Sequence, residues 1–338
     1  MPLAPLLDRR TLLALTGGLS LAACTGGQGS PGAGGRPTGV GTPGAASSPP
    51  SAPGPGPATS AQQRTGRISY GDHPSQWAER QVPDGPSRGT VVVLHGGFWR
   101  DAYGADLGEP LAADLVARGW STLNVEYRRV GGGGGYPRTF DDVHAAIELL
   151  GGDDEVGESG EDGVGAGDDG GGGGDATAGD ERSGDGSADG PVVTLGHSAG
   201  GHLAAWAAAR LDVGWQGRTG VTHVISQAGV LDLGTAHRER LGSGAARDLV
   251  GFGPDDPRFA ALDPLQQVPL VAPLWALHAP DDGQVPISQS QGYVAAARAA
   301  GATAELVEVA GGHFDHIDVT TDAWAQVVAI LDGISPPR

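Results

Sequence analysis

From residue 90 onward, two hydrophobic patterns alternate along the chain. Short, continuous apolar runs rich in β-branched residues have the length and composition of buried strands. Thr90-Val91-Val92-Val93-Leu94 and Pro191-Val192-Val193-Thr194-Leu195 are the clearest. Strands also read near Leu123, Val224 and Trp275, and Ala304-Glu305-Leu306-Val307-Glu308-Val309 alternates as a strand around Val307. Between them lie stretches of good helix formers, near Leu111, Ala145, Ala204, Ala296 and Val327. Regular strand–helix alternation predicts an α/β domain built on a mostly parallel, doubly wound sheet. Residues 229 to 269 fit only a short helix, which allows a minimal cap and no large lid.

Three segments break this pattern. At the amino end, Arg9-Arg10 precede an apolar run from Thr11 to Leu21 that is too short to span a bilayer. A basic start, a short apolar centre and small residues before a cut describe an export signal over 1–23, and the paired arginines suggest the twin-arginine route. Leu21-Ala22-Ala23-Cys24 resembles a bacterial lipobox, so Cys24 is expected to be lipidated and to tie the protein to the outer face of the cytoplasmic membrane. Cys24 is the only cysteine, so no disulfide can form within one molecule. Residues 24–66 are dominated by Gly, Pro, Ser, Thr and Ala and read as a disordered tether, because they bury too little to offset ordering.

The third segment, 151–190, interrupts the domain expected over 67–338. It holds 13 acidic residues and one arginine, and so carries twelve of the nineteen net negative charges. The low pI therefore describes this insert and says little about any site. It joins a helix to the strand at Val193, on the side of a parallel sheet opposite the chemistry, where long insertions cost little closure entropy. Without signal, tether and insert about 230 residues remain, enough for a single domain. The charge balance and the lack of basic clusters argue against a nucleic-acid partner. Nothing in the sequence fixes an oligomeric state.

Chemistry concentrates just after the strands. Gly196-His197-Ser198-Ala199-Gly200 follows one strand and opens a helix, the context in which a Gly-x-Ser-x-Gly turn exposes its serine as a nucleophile. Ser198 then needs a base, a group to orient that base, and donors for an oxyanion. Asp281 and Asp282 end the strand at Trp275. Neighbours in extended chain point opposite ways, so only one of them can reach a histidine. His313 follows the strand at Val307 and two glycines and is the favoured base; His316 is the alternative, three residues on. Ser, Asp, His in that chain order fits one of the known triad arrangements. Gly97 or Phe98, after the strand at Val91, would supply oxyanion N–H groups together with Ala199.

Other polar residues read as structural. His95 is expected to bond backbone around the oxyanion loop, and His197 and His202 to pack or cap. Asp141-Asp142 with Glu126-Tyr127-Arg128-Arg129 suggest an ion pair bracing the sheet. Phe98, Trp99, Tyr136 and Phe314 lie beside the candidate loops and fit either a pocket wall or the core. No His, Cys or carboxylate grouping has convincing metal-ligand spacing.

Taken together, His95-Gly96-Gly97-Phe98-Trp99, Gly196-His197-Ser198-Ala199-Gly200-Gly201-His202-Leu203, the Asp-x-x-Val-Pro at Asp282 to Pro286 and Gly312-His313-Phe314 resemble the α/β-hydrolase superfamily. They are most similar to its small esterase and kynurenine-formamidase-like branch, with Tyr70-Gly71-Asp72-His73-Pro74 as a further matching element. The family pattern His-Gly-x-x-Asp-x-x-Val-Pro falls on His278 to Pro286 and selects Asp282, with Ala279 where glycine is usual. The resemblance implies the α/β-hydrolase fold and a Ser198–His313–Asp282 triad needing no metal or organic cofactor. The substrate class it implies is a small-molecule ester or amide, with carboxylic esters cleaved through an acyl-enzyme. An arylformamidase acting on N-formylkynurenine is the alternative, and export argues against it because that metabolite arises in the cytosol. A non-catalytic surface lipoprotein is the third reading.

Overall fold

Eight strands and seven α-helices follow one another through residues 65–151 and 190–334, the part of the chain that the computed structural model describes. The strands are β1 (Thr65–Ser69), β2 (Trp77–Gln81), β3 (Thr90–Leu94), β4 (Ser121–Glu126), β5 (Val192–His197), β6 (His223–Gln227), β7 (Leu274–His278) and β8 (Ala304–Glu308). They form one sheet in the order β1-β2-β4-β3-β5-β6-β7-β8. From β4 to β8 every pairing is parallel, while β1–β2 and β2–β4 are antiparallel. The six strands expected from the apolar runs are the six parallel ones.

Side chains alternate along each strand, so the sheet feeds two cores. On one face Val91 and Val93 of β3 join α1 (Glu109–Ala117) through Leu111 and Leu115, and α7 (Asp322–Gly333) through Trp324 and Val327. On the other, Val92 and Leu94 meet Phe140 of α2 (Arg138–Glu148), Leu203 and Trp206 of α3 (Ala199–Ala209), and Tyr293 of α6 (Ser288–Ala299). Burial on both faces explains why the central strands β3 and β5 read as continuous apolar runs.

The edge was harder to read. β1 opens at Thr65, inside the span assigned to the tether, and its sequence Thr-Gly-Arg-Ile-Ser is mostly exposed. An antiparallel edge strand needs no apolar run to form, so no hydrophobic signal marks it. The stretch between Gly229 and Pro269 also holds more than one short helix. It contains α4 (Leu233–Glu239) and α5 (Leu241–Val250), and the first turn of α5 is left-handed at Gly242, Ser243 and Gly244. The expected export signal, Cys24 and the tether up to residue 64 lie outside the described residues, as do 152–189 of the insert. The chain resumes at Gly190, packed on Gly89 at the amino ends of β3 and β5, the end remote from Ser198.

The carboxyl end of β4 is braced by the expected ions. The buried Asp142 carboxylate accepts from Arg128 N–H, Nε and Nη2 at 2.6 to 2.8 Å and from Gln76 Nε2 at 2.8 Å. Arg129 pairs with Glu126, and Tyr70 donates to the Glu126 carbonyl, so the early Tyr-Gly-x-x-Pro segment staples β1 and β2 onto β4. Removing one partner of a buried pair strands the other, so Asp142→Ala should cost about 3 kcal/mol in chemical denaturation, near the lower end for such losses because Arg128 keeps some solvent contact. A cost under about 0.5 kcal/mol would show the pair to be incidental.

Candidate active site

Four loops meet above the carboxyl ends of the parallel strands, where open α/β sheets place their ligands. The first turns from β5 into α3. Ser198 sits at its apex with φ 56° and ψ −116°, a conformation costly for a residue with a side chain and one that persists only when its surroundings enforce it. Its N–H donates to the Gln227 carbonyl at 2.8 Å, which ties the turn to β6. The flanking glycines do not supply the bend. Neither Gly196 nor Gly200 has positive φ. What each provides is clearance: a Cβ on Gly196 would strike the Gly200 carbonyl, and one on Gly200 would strike that of Leu94. The bend itself falls on the serine.

The second loop follows β7. Asp282 places Oδ2 at 2.7 Å from His313 Nδ1, while its Oδ1 accepts from the N–H groups of Gln284 (2.7 Å) and Val285 (2.9 Å). The carboxylate is buried. Burial alone would raise its pKa, but the bonds from His313 and the two N–H groups outweigh that and hold it down at about 2. Asp281 is exposed and makes no such contact, so the choice between the adjacent aspartates falls on Asp282. Ala279, in place of the usual glycine, is buried without disturbing this geometry.

The third loop follows β8 and carries His313. Its carbonyl lies 2.8 Å from His197 Nε2, and the two rings are 4.5 Å apart. His197 thus packs as expected, and in packing it fixes the base loop to the residue beside Ser198. Burial, then the neighbouring His313, push the His197 pKa down to about 3, so it adds no charge beside the candidate base. His316 is buried, its ring 6.2 Å from that of His197, and it does not reach the pocket holding Ser198. Its carbonyl accepts from Gln227 Nε2, which holds the loop down from below.

The fourth loop follows β3. Gly97 (φ 109°), Phe98 (52°) and Trp99 (54°) have positive φ, and the loop brings Gly97 and Phe98 to the pocket that Ser198 lines. Tyr127 donates to the His95 carbonyl at 2.8 Å and stacks on the His95 ring, whose Nδ1 is 2.8 Å from the Gly96 carbonyl. This is the backbone bonding expected of His95. His202 likewise bonds backbone, at the Leu262 carbonyl. Ala199 occupies the first position of α3, where an N–H has no intrahelical acceptor and the helix dipole favours negative charge.

These loops enclose a pocket of about 50 Å³. Ser198 and His313 both line it, with Gly97 and Phe98 of the loop after β3 and Phe314. Tyr103, Leu107 and Gln284 complete the wall together with His197, and no charged side chain takes part. The first three went unnoticed in the sequence, because loop residues carry no periodic signal. Of the aromatic candidates, Phe98 and Phe314 line the pocket, Trp99 is core, and Tyr136 packs on the core. Among the described residues no group of three or more His, Cys, Asp or Glu could hold a metal.

Fold and loop placement together define the α/β-hydrolase architecture. No family model and no curated relative matches the chain. Solved structures do match its fold. An acetyl ester-xyloside bifunctional hydrolase from Caldicellulosiruptor lactoaceticus is 19% identical, with a TM-score of 0.60 over 80% of this chain and 95% of that one. An esterase from the Planctomycetes species Thermogutta terrifontis is 18% identical, with a TM-score of 0.58 over 81% and 92%, and it has been solved phosphonylated by sarin. A bifunctional GH43-CE protein from Bacteroides eggerthii gives 20% and 0.57 over 80% of this chain, which spans 38% of that larger chain. At such identities the likeness establishes the fold.

Proposed function

We propose that the protein is a serine hydrolase that cleaves short, uncharged carboxylic esters through an acyl-enzyme. The observation that carries this reading is Ser198, strained at its turn, in one pocket with a histidine whose far nitrogen is bonded to a buried carboxylate. With Nδ1–H given to Asp282, His313 presents Nε2 as the acceptor for the Ser198 proton. Attack on the ester carbonyl places an oxyanion toward the N–H groups of Ala199 and of Gly97 or Phe98, each such donor being worth about 3 kcal/mol to the transition state. His313 then protonates the leaving oxygen, and water repeats the sequence on the acyl-enzyme. Phosphonylation of the Thermogutta esterase fits the same chemistry.

The pocket supports the substrate class. Its volume of about 50 Å³ is far below the ~300–1,000 Å³ of sites that engulf drug-sized ligands, which favours acetyl to butyryl groups. N-formylkynurenine carries an amino-acid head with two charges, and no charged side chain lines the pocket to meet either, which weighs against the formamidase reading. Ser198 and His313 lining one pocket, with Asp282 bonded to the histidine, weigh against a non-catalytic lipoprotein. Export and anchoring through a lipid on Cys24 belong to the same proposal, resting on the amino-terminal pattern.

A series of p-nitrophenyl esters tests it. The expected result is highest kcat/KM at acetate to butyrate, a fall of at least about tenfold by octanoate, and fluorophosphonate labelling that disappears in Ser198→Ala. Absence of turnover and labelling in the folded domain would refute it.

A further inference from the structure

The described surface exposes only three large apolar side chains: Val271, Tyr103 and Phe314. Two of these three, Tyr103 at 46% and Phe314 at 61% exposure, line the Ser198 pocket. Apart from Val271, which stands alone at 97% exposure, the large apolar side chains left in water among the described residues gather at the mouth of one site, a pattern that marks ligand contact.

We propose that Tyr103 and Phe314 form a leaving-group subsite that binds a ring by its apolar face. The proposal rests on the esterase reading above and deepens it. A pocket of about 50 Å³ is too small for both halves of an ester, so one half lies at the mouth, where Tyr103 and Phe314 are its solvent-exposed apolar lining. Which wall it meets follows from the chemistry. The leaving oxygen must take its proton from His313, so whatever that oxygen carries emerges beside the imidazole. Phe314 is the next residue, its ring 5.3 Å from the imidazole and at 83° to it. Tyr103 packs onto Gly97 so closely that a Cβ at Gly97 would overlap its ring, which fixes Tyr103 at the oxyanion end of the same mouth. An emerging group therefore lies against both aromatic side chains. Rings stack on such surfaces with a directional gain beyond burial, whereas a flexible alkyl chain gains burial alone and loses rotamer freedom. Arenes and pyranoses both offer a flat apolar face, and that shared shape is what the subsite reads.

The test compares acetates, so the acyl half is constant. The wild-type full chain should show a kcat/KM for benzyl acetate, or for methyl tri-O-acetyl-β-xyloside, on the order of tenfold above that for n-hexyl acetate. A preference for the xyloside would identify a pyranose and one for the benzyl ester an arene; either supports the subsite. In Tyr103→Ala/Phe314→Ala the ring-to-chain ratio should collapse toward one, whereas Val271→Ala, at the third exposed position, should keep it. Phe314 is mostly exposed and Tyr103 about half, so the double variant should stay folded, with thermal unfolding lowered by no more than a few degrees. Turnover of all three acetates with no ring preference, or a ratio that survives the double substitution, overturns the subsite and leaves the esterase reading standing. Turnover of none of them overturns both.

Discussion

Ser198→Ala should lower kcat by a factor on the order of 10⁴ to 10⁶ while leaving the folded state as stable as before. The hydroxyl contributes no hydrogen bond as a helix cap, so its loss leaves no partner stranded. Alanine also inherits the same backbone strain, since both residues carry a Cβ at φ 56°. Ser198→Gly separates the two properties. Glycine accepts positive φ without penalty, so that variant should be equally inactive and more stable by about 1 kcal/mol, after allowing for the extra freedom of its unfolded chain. Opposite signs for stability and activity at one position are the mark of strain retained for chemistry. In the proposed mechanism Ser198 and His313 act as a unit, so Ser198→Ala/His313→Ala should be no slower than either single variant. Steady-state kinetics on p-nitrophenyl acetate, with thermal unfolding of the same samples, decides it. A loss smaller than a hundredfold would remove Ser198 from the reaction.

The three proposed triad positions were legible because each follows a strand that the sequence announces. Val193, Trp275 and Val307 announce their strands by composition, and Ser198, Asp282 and His313 fall in the loops that leave them. What stayed hidden depends on contacts far apart in sequence. Tyr103 is placed by packing on Gly97, and Phe98 by the fit of its ring against Gly242, whose left-handed turn no hydrophobic pattern announces. The bond from His197 to the His313 carbonyl spans 116 residues, so its positioning role could not be read locally. The glycines of the serine turn were legible as glycines, yet the reason for them, clearance between backbone segments, appears only once β3 and α3 are side by side. β1 went unread because an exposed antiparallel edge needs no apolar signature.

Asp282→Asn should cost about 10⁴ in kcat with little change in KM, and the hydrogen bonds around this carboxylate explain why so small a change is so damaging. The N–H groups of Gln284 and Val285 both point at Oδ1. An asparagine at this position must keep its carbonyl oxygen there, because turning the amide over would face NH2 with two donors. Its amide nitrogen is then directed at His313 Nδ1, donor against donor unless the imidazole moves its proton to Nε2. That tautomer cannot accept the Ser198 proton. No neighbour rescues it: His278 Nε2 is 3.6 Å from the carboxylate and engaged with the Val285 carbonyl at 2.9 Å, and its Nδ1 is taken by Ser290. Asp281→Asn, one residue away and exposed, should leave kcat within about twofold. A pH signature accompanies the loss. Asp282 has a folded pKa of about 2 against 3.8 for the free side chain, so the stability it contributes is fully present above pH 4 and vanishes as pH falls through 2. Asparagine has no such titration, so the stability gap between wild type and Asp282→Asn should narrow across that window. A gap constant from pH 6 to pH 2, or an Asn variant retaining more than a tenth of wild-type kcat, would show that this carboxylate neither pairs with nor orients the base.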